Sequence, residues 1–160
     1  MGLLTASRSN IKRSLEKYFN DNLNIIESFS INWEGLPFNN VSATEWLMPR
    51  ILDFTPVYMR QGSTTQYADD LNIIFSINIF VKKSNITKSG REYAMRDIIS
   101  KYFKIREIIN IYDYSGNGSS EIGSMKVRDI ITDAMLPETE ELYSYNITYL
   151  INSTILTVEV

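Results

Sequence analysis

The feature that most constrains the fold is a strictly alternating segment in the middle of the chain, "DLNIIFSINIFVKK", residues 70 to 83. Its apolar side chains recur at every second position, which is the period of a β-strand with one buried face. These positions are Leu71, Ile73, Phe75, Ile77, Ile79 and Val81. The opposite face mixes asparagine, serine and lysine with Ile74 and Phe80, so we expect it to be only partly wet.

Similar patterns predict further strands on both sides of this segment. They cover residues 25–33, 44–54, 107–114, 125 to about 132, and 143–151, and the stretch after Ile151 can extend the last strand. Pro49 indicates that the strand at 44–54 is an edge strand or carries a bulge. Within it, one parity is shared by Trp46, Met48, Leu52 and Phe54. Residues 60–70, with one glycine and several hydroxyl side chains, predict a long hairpin loop.

Two segments have helical periodicity. In residues 5–22 the apolar positions are Ile11, Leu15, Tyr18 and Phe19, and Thr5, Ser7 and Ser9 each offer an N-cap. The run "NDNLN", residues 20–24, is predicted to end this helix. A second helix follows Ser84 or Asn85, with its apolar face formed by Tyr93, Ala94, Ile98, Tyr102 and Ile105.

The order of these elements predicts the fold class. Hairpin-length connections without a regular βα alternation indicate an α+β protein, with a mainly antiparallel β-sheet and two amphipathic helices packed on one face. At 160 residues, the chain is expected to form a single domain, 1–160.

Composition narrows the possible functions. The chain has no cysteine and no histidine, so it lacks thiolate nucleophiles, disulfides, and the commonest general base and metal ligand. We therefore expect no enzymatic activity, no cofactor and no metal. No apolar run approaches the length of a membrane span, and residues 1–10 lack a secretion signal, so we expect the protein to stay in the compartment where it is made.

Two features of the sequence could form a ligand-binding or metal-binding site. The glycines of residues 115–124 could cradle phosphate, but their spacing does not match a nucleotide-binding loop, and we interpret the segment as a hairpin loop. Carboxylates cluster at Asp69 and Asp70 and again at Glu138, Glu140 and Glu141. Neither cluster has the alternating spacing of a calcium loop, so we interpret both as solvated loop charge.

Charge is distributed unevenly along the chain. Residues 71–106 carry eight Lys or Arg against two acids, whereas residues 107–160 carry two against nine. The second helix holds much of this basic charge, at Lys88, Arg91, Arg96, Lys101 and Lys104. Nucleic-acid binding is one interpretation, a solvent-facing helix surface is another, and a charged subunit interface is the third.

One stretch resembles a known family. A strand ending in Trp33-Glu34 is followed by "LPF", residues 36–38, a polar gap and "EWL", residues 45–47. A long loop, an aliphatic strand and an amphipathic helix follow, and the N-terminal helix and C-terminal strands fit the same layout. In this order the chain resembles the tail terminator proteins of tailed bacteriophages, which are related to the protein that caps the tail tube of lambda-like phages. The signature residues are Trp33, Leu36, Pro37, Phe38 and Trp46.

The resemblance implies a structural virion protein at the head-proximal end of the tail, assembled in the host bacterial cytoplasm. Members form a homo-hexameric ring that ends tube polymerisation and provides the head-tail joining surface. The implied partners are the tail tube protein, head connector or neck proteins, and genomic DNA that passes through the lumen without specific binding; no membrane is involved.

Two groups of charged residues acquire candidate roles in such a ring. Acidic side chains could line the channel and repel DNA phosphate, namely Asp69, Asp70, Glu138, Glu140 and Glu141. Basic residues of the second helix could face the neighbouring subunit, namely Lys88, Arg91, Arg96 and Lys101. The alternatives are another phage neck or tail adaptor, such as a head-completion or tail-completion ring, and a small ligand-binding domain.

Overall fold

The computed structural model describes the backbone of residues 2–4, 7–62, 66–84, 90–114, 118 and 120–159. Side chains are described for residues 7–55, 70–84, 90–114, 118 and 120–153. Asn85 and Lys88 lie outside both sets, and Thr5 and the side chain of Asp69 also lie outside the described residues.

A curled antiparallel sheet organises the chain, and the predicted α+β class is confirmed. Its strands are β1 (Gly2–Leu4), β2 (Glu45–Gly62), β3 (Gln66–Lys82), β4 (Ile108–Tyr112), β5 (Glu121–Met135) and β6 (Leu142–Glu159). The order across the sheet is β2-β3-β6-β5-β4, and β1 pairs with the end of β6. The predicted hairpin between β4 and β5 is confirmed, because these two strands pair antiparallel, but the predicted loop 115–124 is too long, since residues 121–124 belong to β5.

The predicted alternation holds along β3 and β6. Every odd position of β3 from Leu71 to Val81 is buried, at 0–2% exposure. These residues lie beside the odd positions of β6, where Tyr145, Ile147, Tyr149 and Ile151 are also buried. The helix-facing side of the sheet is therefore the main core.

The first helix is longer than predicted. Helix α1 (Arg8–Phe19) begins after Ser7, whose hydroxyl accepts a hydrogen bond from the Asn10 N–H at 3.2 Å. The chain then continues as a π-helix, Asn20–Ile26. The prediction that residues 20–24 end the helix was therefore wrong, and so was the strand predicted at 25–33, where only Ile31 forms an isolated bridge.

The spacing of the buried residues gives a reason for the π-helix. Ile11, Leu15, Phe19 and Leu23 repeat at intervals of four and are all fully buried. On an α-helix of about 3.6 residues per turn this repeat drifts by roughly 40° per step. The wider i→i+5 turns of a π-helix reduce that drift, so Leu23 can still reach the core.

The second helix buries a different face from the one predicted. Helix α2 (Arg91–Tyr102) buries Glu92, Met95 and Ile99, and Phe103 follows in the same stripe. In contrast, Tyr93 is 50% exposed and Ile105 is 47% exposed. The N-cap is Gly90, with a positive φ of 78°, and not Ser84. The prediction was wrong because it chose the face by apolar residue type alone, whereas the buried stripe includes the charged Glu92.

Strand β2 departs from the prediction in register, whereas its continuation past Pro56 over residues 57–60 agrees with the sequence. A bulge between Ile51 and Asp53 shifts the register, so Leu52 is 63% exposed and the predicted common parity of Trp46, Met48, Leu52 and Phe54 is wrong. The strand runs to Gly62 and β3 starts at Gln66, so most of the predicted 60–70 loop is strand. Among the described residues, no helix has the length and apolar character needed to cross a membrane.

Candidate interaction surfaces

The segment between the π-helix and β2, residues 28–44, wraps around the edge of the sheet; we call it the strap. Leu47 of β2 donates its N–H to the Ser30 carbonyl at 2.9 Å and accepts from the Asn32 N–H at 2.8 Å. The Arg50 guanidinium donates to the Asn32 carbonyl at 2.7 Å. These bonds seat residues 30–32 as a short parallel extension at the outer edge of β2.

The inner end of the strap packs beneath the sheet, on the helix side. Trp33 is half-buried and contacts the Phe19 ring edge-to-face, with the ring centroids 5.9 Å apart. Glu34 forms an ion pair with Lys12 of α1 at 3.3 Å. Gly35 then takes a positive φ of 77°, and the Leu36 N–H donates to the Trp33 carbonyl. Leu36 itself is 62% exposed.

The outer end of the strap lies on the opposite side of the sheet. Trp46 is 5% exposed and stacks on Phe80 of β3, with the ring centroids 5.3 Å apart, and Phe38 also packs against Trp46, with the centroids 5.6 Å apart. Because Leu47 points into the main core, its neighbour Trp46 must point away from it. The two tryptophans therefore fix the strap on opposite faces of the sheet, with Gly35 and Pro37 between them.

The described basic side chains that were predicted to contact a neighbouring subunit form ion pairs with carboxylates of their own chain. Arg91 forms a two-pronged ion pair with Glu45, at 2.8 and 3.2 Å. Lys101 lies 3.4 Å from Glu27. These cations connect α2 to neighbouring elements, and their role at an interface stays a prediction.

Arg96 forms the most extensive of these contacts. It binds both oxygens of Asp133 on β5, at 3.0 and 2.5 Å, and the Tyr145 hydroxyl donates to the same carboxylate. The hydrogen bonds from Arg96 hold the pKa of Asp133 below its ordinary value. Desolvation, reinforced by the hydrogen bond to Asp133, raises the pKa of Tyr145 to about 12. This cluster fastens α2 to the sheet.

The acidic candidates fall in two different settings. Asp70 lies within β3, paired with Val57 and Thr154, and is not in a loop. The other cluster lies in residues 136–142, which we call the acidic loop, between β5 and β6. Glu138 pairs there with Lys83 at 3.0 Å, while Glu140 and Glu141 are exposed. The two clusters lie at opposite ends of the paired strands β3 and β6. Leu142, at the end of the acidic loop, pairs with Lys82, whereas Asp70 pairs with Thr154.

The face of the sheet turned away from the helices carries a ladder of neutral polar side chains. Facing pairs on β3 and β6 are Asn72 with Asn152, Ser76 with Thr148, and Asn78 with Asn146. Asn146 Nδ2 donates to Asn78 Oδ1 at 2.7 Å, and Asn152 Nδ2 donates to Asn72 Oδ1 at 3.1 Å. The side chains of this ladder hydrogen-bond to one another across the two strands, which the alternating sequence alone did not reveal.

Parts of both described edges of the sheet are protected against pairing with another strand. Pro49 has the same backbone orientation as Leu47, towards the outside, so it removes an edge donor and no β2–β3 hydrogen bond. At the other edge, the N–H groups of Tyr112 and Tyr114 donate to Ser14 and Asn10 of α1. Beyond β4, strand β5 carries two bulges. Prolines, bulges and covering side chains are the usual protection of edge strands.

Within the described side chains, no group of three or more carboxylates is placed to hold a metal ion. Three buried polar atoms in that set lack a hydrogen-bond partner: Glu92 Oε2, Tyr114 Oη and Tyr149 Oη. Burial raises the pKa of the Tyr149 hydroxyl.

Comparisons with known proteins bear on the fold. No protein-family model matches the chain, and no functionally curated protein matches it. Several chains of known structure are similar, and one of them has a TM-score of 0.60 at 15% sequence identity. The match covers 92% of this chain and 95% of that chain. At this identity the similarity shows a shared fold along nearly the whole length of both chains.

Proposed function

We propose that this protein is the tail terminator of a tailed bacteriophage: a structural protein that forms a hexameric ring on the head-proximal end of the tail tube. The ring stops tube polymerisation and provides the surface to which the head attaches through its neck proteins. DNA passes through the lumen, kept from binding by carboxylates of Asp69 and Asp70 or of the acidic loop.

The observation that carries the proposal is the strap. The residues on which the family resemblance rests lie in a single connected feature: Trp33 sits on the helix side, Trp46 with Phe38 on the outer side, and Leu36 and Pro37 in the turn between them. A resemblance concentrated on residues with a joint structural role is stronger than the same number of scattered identities.

The protected sheet edges support a ring built through side chains. In a closed ring each subunit contacts its two neighbours through two different surfaces. If the edges were open, copies could add strand to strand without limit, as in fibres. With Pro49 on one edge and α1 covering the other, contacts through side chains at chosen surfaces are favoured.

Deletion of the gene from its phage tests the function. A terminator is required to stop the tube, so the deletion should yield abnormally long tails without heads, and a plasmid copy should restore normal virions. Tails of normal length without heads would instead support a head-completion or tail-completion ring. Normal virions after deletion would refute both interpretations.

A further inference from the structure

Four cations differ from those of α2 because no described carboxylate pairs with them. They are Lys104, Arg106, Lys126 and Arg128, and we call them the basic end. All but Lys126 are exposed, and Lys126 is half-buried. The order of charges along the chain hides this set, because Lys104 and Arg106 follow the basic residues of α2, whereas Lys126 and Arg128 lie within the acidic segment 107–160.

The backbone brings these four residues together. The Arg106 N–H donates to the Val127 carbonyl at 2.7 Å, and the Val127 N–H donates to the Glu107 carbonyl at 3.0 Å. Residues 104–107 therefore run beside the part of β5 that carries Lys126 and Arg128. The adjacent carboxylates are Glu107 and Asp129, so four positive charges face two negative ones and the patch stays basic.

The shape and apolar content of the basic end suit a protein partner. Ile105 is 47% exposed and Ile108 is 57% exposed, so the cations surround apolar surface. A depression of about 260 Å³ lies here, lined by Lys126, Arg128, Ile108 and Asn152 among others, with no carboxylate in its lining. Exposed apolar side chains beside arginine are typical of protein interfaces.

The same chain also carries an acidic surface that is too far from the basic end to pair with it. Glu140 and Glu141 are exposed on the acidic loop and have no cation partner among the described residues. The loop follows the far end of β5: Lys126 and Met135 are nine residues apart on that strand, which corresponds to about 25 to 30 Å. The carboxylates of one copy therefore cannot neutralise its own basic end, but those of a neighbour can.

We propose that the basic end receives the acidic loop of a second copy of this chain, with Lys126 and Arg128 binding Glu140 and Glu141 across the interface. The contact joins two different surfaces, so repeating it builds a ring when the rotation between neighbours closes. That the repeated contact closes into a ring rests on the proposed function. Because the acidic loop then lies at the interface, Asp69 and Asp70 remain the candidates for lining the channel. Charge pairs of this kind set the register of association and make it sensitive to salt.

Reciprocal charge reversal tests the contact. We would compare the wild type, Lys126→Glu/Arg128→Glu, Glu140→Lys/Glu141→Lys, and an equal mixture of the two variants by sedimentation velocity. Each variant alone should lose assembly by about tenfold or more in concentration, because like charges then meet. The mixture should assemble again, since each variant supplies the complement of the other at both surfaces. Arg8→Glu/Arg13→Glu, with the same change in net charge on α1, should assemble like the wild type.

Several results would overturn the inference. The first is a wild type that stays monomeric at its highest soluble concentration, and the second is that the variants assemble normally. The third is a mixture that fails to assemble although both variants have the circular dichroism spectrum and melting temperature of the wild type. Loss of duplex DNA binding in Lys126→Glu/Arg128→Glu with assembly unchanged would also overturn it and identify nucleic acid as the partner. If the mixture assembles again but the wild-type protein never caps tail tubes, the contact is supported and the proposed function is refuted. The failure of the contact and the failure of the proposed function are therefore distinguishable.

Discussion

The two faces of strands β3 and β6 are shielded from solvent to different degrees and for different reasons. On the helix side, Phe75 and Tyr149 are 0–1% exposed and pack in one aromatic group with Phe19 and Phe103. On the outer side, Ser76 is 7% and Thr148 is 6% exposed, but their neighbours are hydrogen-bonding side chains of the same two strands. Low exposure thus marks the stabilising core on one face and a satisfied polar surface on the other.

The largest expected effect lies on the helix side. Phe75→Ala removes a ring that contacts both Phe19 and Phe103, so it leaves a cavity that the surrounding strands cannot easily close. We expect a loss of about 4 to 5 kcal/mol in the free energy of unfolding. Urea denaturation followed by tryptophan fluorescence measures it, and a loss below about 2 kcal/mol would contradict a tightly packed core.

Next comes Trp46→Ala, which removes the centre of the outer aromatic stack. Trp46 is nearly buried, but its ring contacts among the described residues are with Phe38 of the strap and Phe80, beside the sheet edge where the strap can relax. A loss of about 3 kcal/mol is expected, at the lower end for large-to-small aromatic changes. Increased proteolysis at residues 36–44 should accompany it. A loss as large as that of Phe75→Ala would show that the outer stack belongs to the core.

Asp133→Asn should have a smaller, pH-dependent effect. Because the folded pKa of Asp133 is lowered, its contribution is present above the unfolded pKa of about 3.9 and is lost as pH falls through the folded value. We expect the wild type to exceed Asp133→Asn by about 1 to 2 kcal/mol at pH 7, since the pair is only partly exposed. The difference should shrink below about pH 4. Urea midpoints at pH 7 and pH 3 test this, and an unchanged difference would contradict the ion pair.

The smallest effect is expected on the polar ladder. Thr148→Val keeps the shape of the side chain but removes a hydroxyl 3.1 Å from Ser76 Oγ and 2.8 Å from Asn146 Oδ1. Asn146 keeps its bond to Asn78 and Ser76 can turn to water, so a loss of about 0.5 to 1 kcal/mol is expected. Chemical denaturation of Thr148→Val beside Phe75→Ala makes the comparison. A loss above about 2 kcal/mol would mean that the ladder is a second core.

The sequence predicted those parts of the fold that depend on one strong periodicity. Alternation along residues 71–81 and 143–151 gave the buried face of β3 and β6 correctly, because a strand has a fixed period of two. Pro49 correctly indicated an edge strand. These features are local, and no tertiary contact overrides them.

Other features depend on contacts that local patterns do not encode. The asparagines of residues 20–24 suggested a helix end, but Asn22 donates back to the Tyr18 carbonyl and Leu23 reaches the core. The bulge at Ile51 and Asp53 depends on the register with β3. The sequence did not show the candidate surfaces for the same reason. Arg91 and Arg96 form ion pairs with residues that are distant in sequence, whereas Lys126 is half-buried and Arg128 is exposed, and neither has a described carboxylate partner.

Electron microscopy of the purified protein added to isolated tail tubes tests the central claim most directly. The proposed terminator should form six-fold rings bound only at the head-proximal tip, and tubes capped in this way should no longer elongate when tube protein is added. Binding along the tube or at the distal end, or continued elongation of capped tubes, would contradict it.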